Sequence, residues 1–138
     1  MSHASQFLFK SADGGVINLE DFKGNPVLVV NTASRCGFTG QLETLQKLSD
    51  TYSDEGLMVL AVPSNDFNQE LSSIEAVKNF CTVNYNLTLP MTEITSVRGK
   101  HAHPFFRWVK ETTGFSPKWN FNKILIGGAM ANTFLSAE

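Results

Sequence analysis

Only two cysteines, Cys36 and Cys81, occur in the 138 residues, which excludes a scaffold stapled by several disulfides. No apolar run approaches the roughly 18 residues that cross a bilayer. The opening MSHASQFLFK lacks the charged-then-apolar layout of a signal peptide, so the expectation is a cytoplasmic chain, or a periplasmic one had a leader been removed. Charge is sparse: 11 Lys and Arg stand against 13 Asp and Glu, for a net charge of −2. The basic residues are scattered, and the balance argues against a nucleic-acid or anionic-membrane surface. Histidine is limited to His3, His101 and His103, and no His or Cys pair has metal-ligand spacing, so neither a metal nor a cofactor is expected. Repeats, low-complexity tracts and linkers are missing as well. What is present is an ordinary globular balance, 42% hydrophobic and 17% charged, that fits one domain over residues 1–138.

The pattern along the chain alternates strands and helices. FLFKSADGGVINL reads as a hairpin turning at Asp13-Gly14-Gly15, and Lys23-Gly24-Asn25-Pro26 is a second turn before a strand from Val27 to Asn31. Leu42, Leu45, Leu48 and Tyr52 then recur at helical spacing, with Glu43 and Lys47 paired i to i+4 on the outer side. Leu57 to Val62 is a continuous apolar run, as expected of a parallel strand buried on both faces. A second helix, roughly Ser73 to Tyr85, carries Ile74, Val77, Cys81 and Tyr85 on one side. A third begins near His103, with Pro104 suited to its first turn, and Trp108 reads as packing beside Phe105 and Val109. NKILIGG and NTFLS close the chain as a strand pair. The resulting expectation is an α/β protein of thioredoxin-like plan, a mixed sheet flanked by helices with an N-terminal hairpin.

Cys36 carries the chemistry. It lies in the turn beyond the carboxyl end of an inner strand, where open α/β sheets place reactive groups. The helix that follows directs unpaired N–H groups and its positive end toward that turn, which favours negative charge on sulfur. Arg35 adds a nearby cation, and Gly37 and Gly40 allow close backbone approach. A buried apolar filler is the commoner fate of a free cysteine, but a filler belongs in the strand rather than in a polar turn. Cysteine hydrolysis needs a histidine base, and His103 is better placed to begin a helix. Disulfide exchange of the Cys-x-x-Cys type is excluded because Thr39 occupies the second place. A thiolate that attacks a peroxide and becomes a sulfenic acid remains.

These residues also carry a resemblance. VNTASRCGFTGQ, VPSNDF followed by QE, GKHAHPFF and KWNFNKILI resemble, in order and over about Phe7 to Phe134, the successive signatures of the glutathione peroxidase family. The resemblance implies a thioredoxin fold and reduction of hydrogen peroxide and of organic or lipid hydroperoxides. By it, Cys36 stands at the peroxidatic position, Trp119 and Asn120 match its partner residues, and Asp66 falls where the family usually has a glutamine. An indole N–H and an amide are neutral donors suited to a thiolate and a departing oxygen. An ionised carboxylate only accepts hydrogen bonds, so Asn65 is an alternative donor to Asp66. Cys81 matches the resolving cysteine of thioredoxin-dependent members, although its helix face suits a core residue equally well.

Other departures shape the expectations. The loop after Asp66 is about one residue short, and the sequence stops at Glu138 where the family continues into a last helix, so the expectation is either a trimmed sequence or a sheet with one face thinly covered. Only Thr112 to Pro117 separate HPFFRWVKE from KWNF, which resembles the monomeric branch with an open site. The reading is a monomeric thiol peroxidase, with peroxide as substrate and thioredoxin or glutathione as reductant. A peroxide-responsive sensor or binding module with little turnover, and an inactive scaffold with Asp66 as its lesion, stand beside it.

Overall fold

The computed structural model describes residues 3–128 and 133–136. Strands Leu8–Lys10 (β1) and Val16–Asn18 (β2) pair antiparallel in a separate hairpin, with Phe9 opposite Ile17. The main sheet is built on Val27–Thr32 (β3), which pairs in parallel with Met58–Pro63 (β4) from Val27 opposite Met58 to Thr32 opposite Pro63. Both strands are buried on nearly every residue, the physical reason they read as continuous apolar runs rather than as an alternation. Lys123–Ile126 (β5) joins the other side of β3 antiparallel, and Thr133–Ser136 (β6) joins β5, giving the order β4-β3-β5-β6. The expected hairpin, parallel centre and closing antiparallel pair are all present.

Alternate residues of the sheet serve different layers. Helices Gln41–Tyr52 (α1) and Ile74–Tyr85 (α2) pack Leu42, Leu45, Ile74, Val77 and Cys81 against Val30 and Val59. On the opposite side, Pro104–Thr113 (α3) packs Phe105, Phe106 and Val109 with Val27, Val29, Leu60 and the rings of Phe7 and Phe9. Trp108 is buried there too, its ring 5.6 Å from Phe7 and 5.9 Å from Phe105, as its helical spacing predicts. The α1 stripe loosens toward its end, where Leu48 is half-buried and Tyr52 exposed. With Leu28, Leu57 and Leu125 these two line an apolar groove of about 470 Å³.

Caps fix the helix starts. Ser73 Oγ accepts the Ala76 N–H at 3.2 Å, and His103 Nδ1 accepts the Phe105 N–H at 3.0 Å just ahead of Pro104 in the first turn. The same imidazole stacks on Phe9, with ring centroids 4.0 Å apart, and bonds the Leu8 carbonyl through Nε2 at 2.7 Å. One histidine thereby ties α3 to the hairpin. Glu43 and Lys47 form the expected surface ion pair at 3.4 Å, worth a few tenths of a kcal/mol.

This topology creates the site. Since β3 and β4 are parallel, the segments leaving their carboxyl ends, 33–40 and 64–71, emerge side by side. Since β5 runs the other way, the turn before it, 118–122, arrives at that same edge.

Candidate active site

Residues 36–40 wind into α1 through short-range bonds, among them Thr39 N–H to Cys36 O at 3.1 Å and Gln41 N–H to Phe38 O at 2.9 Å. Cys36 is buried within this winding, and its Sγ accepts the Phe38 N–H at 3.3 Å. The helix start thus gives the sulfur a backbone donor, as its place in the sequence led one to expect. Thr39, standing where a second cysteine would be, has a structural task. Its hydroxyl accepts the Cys36 N–H and donates to Ala33 O, both at 3.0 Å, clamping the turn from inside. A thiol there would make a weaker clamp.

The loop after β4 supplies the next side chains. Asn65 Oδ1 accepts the Glu70 N–H at 3.2 Å, and Asn68 takes φ +60°, so the short loop closes on itself. Closure turns Gln69 toward the neighbouring segments. Its carbonyl accepts the Arg35 N–H at 2.9 Å, while its Oε1 accepts from Asn120 Nδ2 at 3.1 Å. Two neutral amides, Gln69 and Asn120, therefore meet beside the turn that holds Cys36. Asp66 faces elsewhere: its Oδ2 accepts from the Val97 N–H at 2.7 Å, the Arg98 N–H at 3.1 Å and the Ser96 hydroxyl at 3.2 Å. The carboxylate occupied by these three donors serves the 96–98 turn, and the amide beside Asn120 comes from three residues further on. Asn65, the alternative donor, is engaged in closing the loop.

The turn before β5 carries Trp119 and Asn120. Asn31, a buried polar residue in the central strand, holds both of its ends: Nδ2 donates to Trp119 O at 2.8 Å, and its carbonyl accepts the Phe121 N–H at 2.6 Å. Phe121 sits at φ +63°, a conformation bulky residues seldom adopt, so this clamp works against local strain. Asn120 is buried, whereas the Trp119 indole is exposed and packs on Phe67 at 5.4 Å between centroids.

Beneath the site lies one buried carboxylate. Glu70 Oε1 accepts the Ser34 N–H at 3.0 Å and the Leu71 N–H at 2.8 Å. Burial raises its pKa above the ordinary value, opposed by its bonds to Ser34 and Leu71 and by the charge of Arg35. Cys81 is buried in α2 and reduced, like Cys36. Its thiol is pushed up to about 11, mainly by burial and further by the Glu70 charge. It also lines a cavity of about 360 Å³ between α2, the hairpin turn and segment 87–91.

Sequence reasoning missed Gln69, Glu70 and Asn31. The QE pair was in view without a role for either member, and a lone Asn ending the apolar run VLVVN was a signal that a buried polar side chain needs partners.

A thiol in the turn that winds into a helix, reached from an inner strand of a sheet of this order, defines a thioredoxin-fold thiol oxidoreductase. The particular family follows from comparison with known proteins. The family model for glutathione peroxidase matches residues 5–110. A glutathione peroxidase of Lactococcus lactis is 44% identical over 119 residues, covering 83% of this chain and 76% of the relative. The hydroperoxy fatty acid reductase gpx1 of Synechocystis is 40% identical over 134 residues, covering 87% and 78%. Among solved structures, GPX1 of T. cruzi superposes with a TM-score of 0.73 at 30% identity, covering 96% of this chain and 86% of that one. The chain belongs to the glutathione peroxidase family. Among the described residues, no helix is long and apolar enough to cross a membrane.

Proposed function

We propose that this chain is a thiol peroxidase in which the Cys36 thiolate reduces hydrogen peroxide and organic hydroperoxides. The observation that carries the reading is Cys36 Sγ accepting the Phe38 N–H beside the Gln69–Asn120 amide pair. Sulfur attacks one peroxide oxygen; an S–O bond forms as the O–O bond breaks, and the leaving oxygen takes up a proton to depart as water or an alcohol. The Phe38 N–H and the neutral Asn120 and Gln69 amides and Trp119 indole are donors suited to the charge on sulfur and on the departing oxygen. Asp66 carries no step, because its carboxylate is committed to the 96–98 turn. A thiol then attacks the sulfenic sulfur and releases water, and a second thiol frees Cys36 as a disulfide leaves.

Cys81 is the candidate for the first of those thiols, with thioredoxin as the external reductant; glutathione is the alternative that needs no Cys81. Cys81 must leave its buried place for this, since a disulfide requires Cα atoms within about 7 Å. The short connection after α3 supports a monomer with an open site. Burial of Cys81 and its raised pKa favour, as a second reading, a slow sensor whose oxidised Cys36 persists.

Steady-state peroxide consumption separates these readings, run with the thioredoxin system and, in parallel, with glutathione and its reductase. Cys36→Ser is expected to abolish turnover with every peroxide and to leave the fold intact, a hydroxyl being a far weaker nucleophile. Retention of most of the activity would overturn the assignment. Single turnovers that stall at a stable sulfenic acid would favour the sensor.

A further inference from the structure

Asn31 breaks the pattern of its strand. Val27, Leu28, Val29 and Val30 precede it in β3, and Asn31, 1% exposed, is buried as the valines are. A valine would pack here with no polar side-chain group to satisfy. The amide instead brings an oxygen, Oδ1, that finds no hydrogen-bond partner among the described residues. A second unfavourable feature lies on the segment it holds, where Phe121 is kept at φ +63°. Both costs fall on one short turn, the turn that carries Trp119 and Asn120. Local costs concentrated in this way point to positioning rather than to packing.

The hydrogen bonds show what the amide gains. Asn31 Nδ2 donates to Trp119 O at 2.8 Å, Asn31 O accepts the Phe121 N–H at 2.6 Å, and the Asn31 N–H reaches Asn122 O at 3.4 Å. One residue of β3 thus grips the backbone on both sides of Asn120. Five positions further along, the same segment reaches Cys36. A second tie runs from the other side of the sulfur. Lys123 Nζ donates to Phe121 O and to Gln41 Oε1, both at 2.6 Å, and Gln41 opens the helix into which the Cys36 turn winds. The turn bearing the indole and the amide is therefore fastened to the strand that enters the Cys36 turn and to the helix that leaves it.

We propose that Asn31 is a positioning residue for peroxide reduction, holding Trp119 and Asn120 where their N–H groups meet the oxygen that leaves as Cys36 attacks. This deepens the peroxidase reading and rests on it. In that step the S–O bond forms as the O–O bond breaks; sulfur is oxidised, the peroxide is reduced, and the departing oxygen takes up a proton to leave as water or an alcohol. Donors for that oxygen must be in place before the bond breaks, and a misplacement of about 1 Å costs on the order of a hundredfold in rate. Alkylation of the same thiolate by iodoacetamide releases iodide, an anion that needs neither proton nor donor. The two reactions share a nucleophile and differ in leaving group, so the ratio of their rates cancels the thiolate fraction and isolates the donors.

The test compares wild-type protein with Asn31→Ser, following loss of the free Cys36 thiol by the mass of its peptide, with hydrogen peroxide and, separately, with iodoacetamide. Oxidation is expected to slow at least about tenfold in the variant, and alkylation to stay within about twofold. Equal slowing of both would show only that the Cys36 turn had been disturbed, and unchanged oxidation would show that the donors hold without the clamp; either overturns the proposal. In a background that already lacks both donors, Trp119→Phe with Asn120→Ala, the same Asn31 substitution is expected to slow oxidation by less than about twofold. A further loss of about tenfold there would make Asn31 a structural residue only and overturn the proposal. Asn31→Val, shaped like its strand neighbours, gives the same comparisons if the Ser variant does not fold. Wild-type Cys36 oxidised no faster than the same cysteine in the urea-unfolded protein would overturn the peroxidase reading, and the positioning role with it.

Discussion

Replacing Glu70 by Gln and by Ala separates the two things this residue does, accepting hydrogen bonds and carrying charge into the interior. Its Oε1 is the acceptor for two backbone donors, Ser34 N–H at 3.0 Å and Leu71 N–H at 2.8 Å, one in the Cys36 segment and one entering α2. In Glu70→Ala both donors lose their acceptor. Hydrogen bonds to a charged group are worth roughly 1.5–3 kcal/mol each, so the gross loss is about 3–6 kcal/mol. Part of it is recovered because a carboxylate no longer has to be desolvated, and a net loss of about 3 kcal/mol is expected. Glu70→Gln keeps an oxygen in the same place and removes the charge, so its stability at neutral pH is expected to stay within about 1 kcal/mol of the wild type.

The pH dependence adds a sign. Burial raises the Glu70 pKa, so the native protein holds this proton more tightly than the unfolded chain. The group's contribution to stability is therefore fully present below the unfolded value of 4.5 and is lost as pH rises through the folded value. Gln has no such dependence, so the stability of the Gln variant relative to wild type should improve from about pH 4.5 upward and then level off. Urea unfolding of all three proteins between pH 4.5 and 7.5, followed by tryptophan fluorescence, measures this. A Gln variant as unstable as the Ala variant, or a Glu–Gln difference that ignores pH, would refute the reasoning.

Four further outcomes follow from the same structure. Cys81, buried and with its thiol pushed up to about 11, is expected to resist iodoacetamide at pH 8 in the native protein and to react after denaturation; prompt native labelling would place it at the surface. If Cys81 resolves, one equivalent of peroxide yields a Cys36–Cys81 disulfide in non-reduced peptides, and Cys81→Ser loses thioredoxin-driven turnover while keeping more of the glutathione-driven kind. His103 has its pKa lowered by burial, then by Arg107, against the bond to Leu8; its contribution to stability is present above 6.5 and lost as pH falls through the folded value. His103→Ala is accordingly expected to cost about 1–2 kcal/mol at pH 7.5 and to flatten that acid limb in pH-dependent melting. Thr39→Val, nearly the same shape, leaves the Cys36 N–H and Ala33 carbonyl without their partner. A loss of about 1–3 kcal/mol and slower peroxide reduction are expected, and an unchanged rate would show that the turn holds without its clamp.

The amino-acid sequence by itself determined the order of strands and helices, the two apolar runs at the centre and the place of Cys36. Those features are written in local terms: side-chain periodicity, turn residues such as Asp13-Gly14-Gly15, a capping His103 before Pro104. Trp108 was legible as packing in the same way, because it recurs with Phe105 on a helix face, whereas a site role for Trp119 came only from the resemblance of KWNF to the family's signature. The choice between Asp66 and Gln69 was not legible. It depends on how one short loop closes through Asn65 and Asn68, and on donors at Val97 and Arg98, about thirty residues away, that capture the carboxylate. The clamp of Asn31 on Trp119 and Phe121 spans nearly ninety residues and exists only once β3 and β5 are paired. The basic cleft between segment 97–102, α3 and segment 114–118 is the plainest case. Cations at 98, 100, 107, 110 and 118 look dispersed along the chain, and they converge because α3 folds back between the two segments that carry the others. Local periodicity decides which elements form; which polar and charged side chains meet is decided by long-range packing, since a hydrogen bond or a shared electrostatic field depends on distance in space alone.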